Sequence, residues 1–159
     1  MVPNFSWLLD GSLAGSGNIG GWARYEKDII DNDLDQLINE GIRAIVSLTE
    51  QSLDVESLSA KGMSYLHIPI PDMSPPSLDA VSAFIGFVDE ELKENRPVLV
   101  HCEAGLGRTG TMLGCYLIKT GLGPIEAINR VRLSRPGSIE TSAQEATIFE
   151  YAVYYHEHG

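Results

Sequence analysis

The stretch from Pro97 to Lys119 constrains the fold of this chain more than any other. Pro97 to Val100 (PVLV) is apolar at every position, with no alternation of polar residues. A short strand of that kind is buried on both faces, which is the habit of a parallel sheet covered by helices. The segment Val100 to Gly110 that follows is rich in glycine, and an apolar helix is expected from about Thr109 to Lys119. Strand, glycine loop and helix in that order require a layered α/β arrangement.

The flanking sequence agrees. Asp28 to Glu40 places Ile29, Ile30, Leu34, Leu37 and Ile38 on a helical stripe that stops at Gly41. Ile42 to Leu48 reads as a buried strand, Leu53 to Ala60 as a short helix, and Met63 to Ile68 as a strand ended by Pro69 and Pro71. Pro69 to Pro76 (PIPDMSPP) is a stiff, extended loop. Ser77 caps a helix with Leu78, Val81, Phe84, Ile85, Val88 and Leu92 on one face. Gly121 and Gly123 break the chain before a helix that opens at Pro124 and ends near Leu133. Thr141 to Gln144 fits a capping box, and a last helix runs to about Tyr155. Gly11 to Gly21 reads as a turn-rich entry. The expectation is a single domain over residues 1–159, with a central, mostly parallel sheet flanked by helices.

The loop is built to hold an anion. Ligands of open α/β sheets sit at the carboxyl ends of strands, and a helix N-terminus presents unpaired N–H groups with a positive partial charge. Gly105 and Gly107 let the backbone curl so that N–H groups point inward. Arg108 adds a planar fork matched to two phosphoryl oxygens. The phosphate-binding loop is therefore Glu103, Ala104, Gly105, Leu106, Gly107 and Arg108, with Cys102 at its base. A thiol at a helix N-terminus beside a cation is readily a thiolate, the form that attacks phosphorus. A lone cysteine is more simply a small buried hydrophobe, but five residues to an arginine, two of them glycine, point to the nucleophile. His101 is read as holding the loop backbone, with a general-base role as the alternative. Thr109 donates its hydroxyl to the Cys102 sulfur, caps the helix, or does both.

His-Cys-x5-Arg-Thr resembles the signature loop of the protein tyrosine phosphatase superfamily, and HCEAGLGRTG is most similar to its small dual-specificity members. The resemblance extends over PNFSW (Pro3 to Trp7), VSLTE (Val46 to Glu50), IPIPD (Ile68 to Asp72), TGTMLGCYL (Thr109 to Leu117) and RPGSIET (Arg135 to Thr141). That pattern covers most of the chain and is close to the atypical VH1-like group. It implies the fold of those cysteine phosphatases, a phosphocysteine intermediate on Cys102 and no cofactor or metal. Expelling an alkoxide needs a general acid. Asp72, on the proline-rich loop, is the candidate, and Asp79, in the first turn of the next helix, is a weaker competitor. Gln144 matches a glutamine that orients the hydrolytic water, with helix capping as the other reading. Glu50 matches an acidic residue that pairs with the signature arginine, against a plain surface glutamate. Arg135 is expected to brace the loop.

The resemblance implies phosphotyrosine, with phosphoserine and phosphothreonine left open, as the substrate on a phosphoprotein or phosphopeptide. Phosphate and vanadate would be inhibitory oxyanions. Net charge enters here. The chain carries 22 acidic and 11 basic residues, a formal charge of −11, which argues against nucleic acid or an anionic membrane as partner. Arg108 is the loop's only cation, which weighs against the alternative of a phosphoinositide or RNA 5′-phosphate phosphatase. A catalytically dead phosphopeptide-binding module would lack the cysteine or the arginine, and a thiol-redox or arsenate-reducing protein would want a second cysteine near the first. Cys115 lies about two turns into the helix and is read as core. Trp7, Trp22, Tyr151, Tyr154 and Tyr155 are read as packing, and His156 and His158 show no metal spacing. With two cysteines, no basic and apolar leader pattern and no bilayer-length apolar run, a cytoplasmic monomer is expected.

Overall fold

The computed structural model describes residues 2–21 and 26–159, so Trp22 lies outside the described residues. Among the described residues five strands are formed: β1 (Ser6–Leu9), β2 (Leu13–Ser16), β3 (Ala44–Ser47), β4 (Ser64–His67) and β5 (Val98–His101). The helices are α1 (Lys27–Asn39), α2 (Val55–Ala60), α3 (Leu78–Lys93), α4 (Gly107–Lys119), α5 (Pro124–Ser134) and α6 (Ser142–His158). The sheet order is β1-β2-β5-β3-β4; only β1 runs antiparallel, against β2.

β5 lies in the middle of this sheet, between β2 and β3, with Leu99 opposite both Ala14 and Ile45. Its side chains feed two cores. Val98 and Val100 join one with Phe84, Val88, Met112, Leu113, Ile128 and Ile148 from α3 to α6. Leu99 joins the other, with Leu34 and Leu37 of α1 and Leu58 of α2. Successive residues of a strand point to opposite faces, so a strand covered on both sides must be apolar throughout. The loop after β5 therefore emerges from the centre of the sheet.

The expected caps form: Ser77 Oγ accepts from Ala80 N–H at 3.1 Å, and Thr141 and Gln144 make a reciprocal capping box. Several element bounds shift by one to three residues. α4 begins at Gly107, two residues before Thr109, and α6 continues past Tyr155 to His158. The turn-rich entry at Gly11 to Gly21 contains β2, every residue of which is buried. Ala14 and Gly15 are poor strand formers, but space decides here. A Cβ on Gly15 would lie 2.9 Å from Thr109 Cγ2 and 3.1 Å from Arg135 Cζ, so only glycine fits.

Trp7 packs edge-on against Phe5 at 5.6 Å, Tyr151 is buried, and Tyr154 stacks on His158 at 4.6 Å. Among the described residues no helix is long and apolar enough to cross a membrane.

If β2 is part of the core, Leu13→Ala should lower the unfolding free energy by about 2–5 kcal/mol. Urea unfolding reads this directly, and an unchanged midpoint would remove Leu13, fully buried here, from the core.

Candidate active site

The carbonyl groups of the loop after β5 are held from outside it. Glu103 O accepts from Asn18 N–H at 2.9 Å, and Ala104 O accepts from Asn4 Nδ2 at 3.2 Å. Gly105 O accepts from Arg135 Nη2, and Leu106 O accepts from the N–H groups of Ile139 (3.1 Å) and Gly110 (3.0 Å). The two ends of a peptide unit point in opposite directions, so outward carbonyls turn the amides inward. Among the described residues nothing accepts from the amides of residues 104–108. Gly105 has φ +78°, and a Cβ there would lie 2.5 Å from the Ser16 carbonyl carbon. Both facts demand glycine.

Cys102 lies at the base of this cradle, buried, with Thr109 Oγ1 donating to its Sγ at 3.0 Å. Thr109 makes no side-chain cap, since the residue preceding α4 is Leu106. Arg108 is 2% exposed. Its Nη1 donates to Ile70 O at 2.8 Å and Leu48 O at 3.4 Å, which pins it to the ends of β3 and β4. Its Nη2 faces Asp72 Oδ1 at 3.3 Å.

Asp72 is thereby brought from the proline-rich loop to the mouth of the cradle, with its carboxylate largely in solvent. Glu50 does not pair with Arg108. Its Oε1 accepts from the Asp72 backbone N–H at 3.3 Å, so it meets the proline-rich loop instead. Asp79 stays in the first turn of α3.

Gln144 caps α6 and also reaches the loop. Its Oε1 accepts from the N–H groups of Glu140 (2.8 Å) and Thr141 (3.1 Å), which is capping. Its Nε2 lies 2.9 Å from where a Gly107 Cβ would be, so the amide also sits against the loop. Arg135 braces three elements at once: Nη1 donates to Asn4 O (3.0 Å), Ser6 Oγ (2.7 Å) and Gly15 O (2.9 Å). Burial lowers its pKa. Cys115 is fully buried in the core, where desolvation pushes its thiol pKa far up.

The family described as "Tc-R-P: Polymorphic toxin system, DSP-PTPase phosphatase" matches residues 20–122. The chain belongs to this phosphatase family. The chain is 33% identical over 113 residues to the dual specificity protein phosphatase CDC14B of Mus musculus, covering 70% of this chain and 23% of that protein. It is 29% identical over 168 residues to the mouse protein tyrosine phosphatase domain-containing protein 1, covering 94% of this chain and 21% of the relative. The chain thus spans about a fifth of the length of the curated relatives it matches. The crystal structure of Tk-PTP in its active form superposes with a TM-score of 0.82 at 30% identity, over 96% of this chain and 99% of that one.

Two residues beside the loop lie in the resembling segments VSLTE and PNFSW but receive no role from the sequence. One is Ser47, whose Oγ lies 2.6 Å from His101 Nε2; the other is Asn4. His101 Nδ1 lies 3.4 Å from Cys102 O, which can only accept. Nδ1 therefore carries the proton, and Ser47 donates to Nε2. The ring is neutral, because burial, more than the nearby Arg108, lowers its pKa from 6.5 to about 4. A neutral ring committed at both nitrogens supports the positioning reading over the general base.

The unfolded chain takes up this proton near pH 6.5 and the folded one only near 4. Stability is therefore full above pH 6.5 and falls as pH drops to about 4, by about 3 kcal/mol. Comparison of urea midpoints across that range should show the loss in wild type and its disappearance in His101→Gln. Equal pH dependence in the two proteins would contradict the buried, neutral ring.

Proposed function

We propose that this phosphatase acts on phosphoproteins, hydrolysing phosphotyrosine through a phosphocysteine intermediate on Cys102, with phosphoserine and phosphothreonine left open as further substrates. The observation that carries the reading is the Cys102 sulfur beneath an inward-facing amide cradle, with Thr109 on the sulfur and Asp72 against Arg108 at the mouth.

In the first step the Cys102 thiolate forms a bond to phosphorus. The bond from phosphorus to the leaving oxygen breaks, its electron pair stays on that oxygen, and Asp72 supplies the proton. The cradle amides and Arg108 hold the equatorial oxygens as charge spreads over them. In the second step water, oriented by Gln144, attacks phosphorus and gives its proton to Asp72. The sulfur–phosphorus bond breaks, and its pair returns to a sulfur that Thr109 stabilises by hydrogen bonding. His101, Glu50 and Arg135 support the loop and the acid without touching substrate. We read residues 1–159 as one catalytic domain, working as a cytoplasmic monomer without cofactor or metal.

A second reading is a phosphoinositide phosphatase. PTPMT1, solved in complex with PI(5)P, superposes with a TM-score of 0.81, but at 19% identity it speaks for the fold alone. The loop offers Glu103, Ala104 and Leu106 where a polyanionic headgroup favours cations, and this supports the protein substrate.

Cys102→Ser should abolish turnover of a generic aryl phosphate while phosphate and vanadate still bind. Asp72→Asn should slow peptide dephosphorylation by about 10²–10⁴-fold. Rates on phosphotyrosine peptides, phosphoserine and phosphothreonine peptides and phosphoinositides decide the substrate class. Activity retained in Cys102→Ser would remove the nucleophile, and faster turnover of phosphoinositides would replace the protein substrate.

A further inference from the structure

Asn4 lies about a hundred residues from the loop in sequence and belongs to none of the roles above. Its backbone is in the left-handed region, φ 55°, where asparagine is among the few side chains that sit without much strain. That conformation sends the two ends of the residue to the same place. The carboxamide Nδ2 lies 3.2 Å from Ala104 O and 3.5 Å from Gly105 O. The Asn4 carbonyl accepts from Arg135 Nη1 at 3.0 Å, and Arg135 Nη2 donates to Gly105 O in turn. Pro3, the residue before, accepts from Gly17 N–H at 2.8 Å, and the Ser16–Gly17 peptide is the one against which Gly105 packs.

We infer that Asn4 is a positioning residue for the phosphatase reaction, holding the Ala104 and Gly105 carbonyls outward so that the amides following them face the phosphoryl oxygens. The inference rests on the reading of the loop as the phosphate cradle. Asn4 touches no substrate and acts through two peptide units. If either unit flips, an inward N–H becomes an inward carbonyl, and a donor to the anion becomes a repulsive acceptor. Arg135 holds only the second of these carbonyls, so the Ala104 unit depends on Asn4 for its side-chain donor. The N-terminal hairpin is thereby part of the active-site scaffold.

The test uses the full chain with Asn4→Gly and Asn4→Asp. Both substitutions tolerate positive φ; glycine removes the donor, and aspartate presents an acceptor to Ala104 O. The readouts are kcat and KM for an aryl phosphate, the inhibition constants of inorganic phosphate and vanadate, and the thermal midpoint.

The inhibition constants should rise about tenfold in Asn4→Gly, the scale of one lost charge-assisted hydrogen bond, and further in Asn4→Asp. kcat/KM should fall by a similar factor. A merely structural role would lower the thermal midpoint and leave the oxyanion constants of the folded protein unchanged. Wild-type inhibition constants in whichever variant folds would overturn the inference while leaving the cradle intact. Failure of both oxyanions to compete in the wild type would overturn the cradle itself, and the inference with it.

Discussion

Everything at the site depends on which way four peptide units face. The carbonyls of residues 103–106 point away from the cradle, and each meets a donor outside the phosphate-binding residues 103–108. Those donors come from distant parts of the chain: Asn4 and Asn18 from the N-terminal segment, Arg135 from the end of α5, and Ile139 from the approach to α6. A loop alone would not keep so many N–H groups converged on one point, because buried amides without partners are costly. The surrounding elements hold the carbonyl ends, and the amide ends follow. Gly105 is where this packing is tightest, pressed under the Ser16–Gly17 peptide at positive φ.

The same economy of placement governs charge. The chain carries a net −11, yet two guanidinium groups stand close to Cys102. Arg108 is fixed through one nitrogen by carbonyls at the ends of two strands, which leaves its other edge toward the mouth and Asp72. Arg135 sits behind the loop, almost wholly buried. Among the described residues no carboxylate pairs with it, and its Nε has no hydrogen-bond partner. A buried charge so placed is expensive. It braces the loop whose base is Cys102, so its charge is held on the side of the proposed nucleophile.

The central strand and its loop were legible because their constraints are local. PVLV must be buried on both faces, and the glycines of HCEAGLGRTG must curl. Caps at Ser77 and Thr141 were legible for the same reason, each being a contact three residues long. β2 was not legible. Its sequence, LAGS, reads as a turn because Gly15 answers to Thr109 and Arg135, about a hundred residues away. The resemblance offers Glu50 as a partner of Arg108, against a plain surface glutamate; in the fold it meets the Asp72 backbone, and Asp72 itself faces the arginine. The hydrogen bonds of Ser47 to His101 and of Asn4 to Ala104 span 54 and 100 positions, so although both residues lie in resembling segments, the sequence does not show what they meet.

The central claim is that the cradle serves a covalent step at Cys102, and trapping that step tests it most directly. Wild-type protein turning over a phosphotyrosine peptide should be quenched in acid within the first turnovers, digested, and examined by mass spectrometry. The account predicts a phosphoryl group on the peptide containing Cys102, absent in Cys102→Ser. Sustained turnover with no phosphoryl group on that peptide, or with the group on another residue, would contradict it.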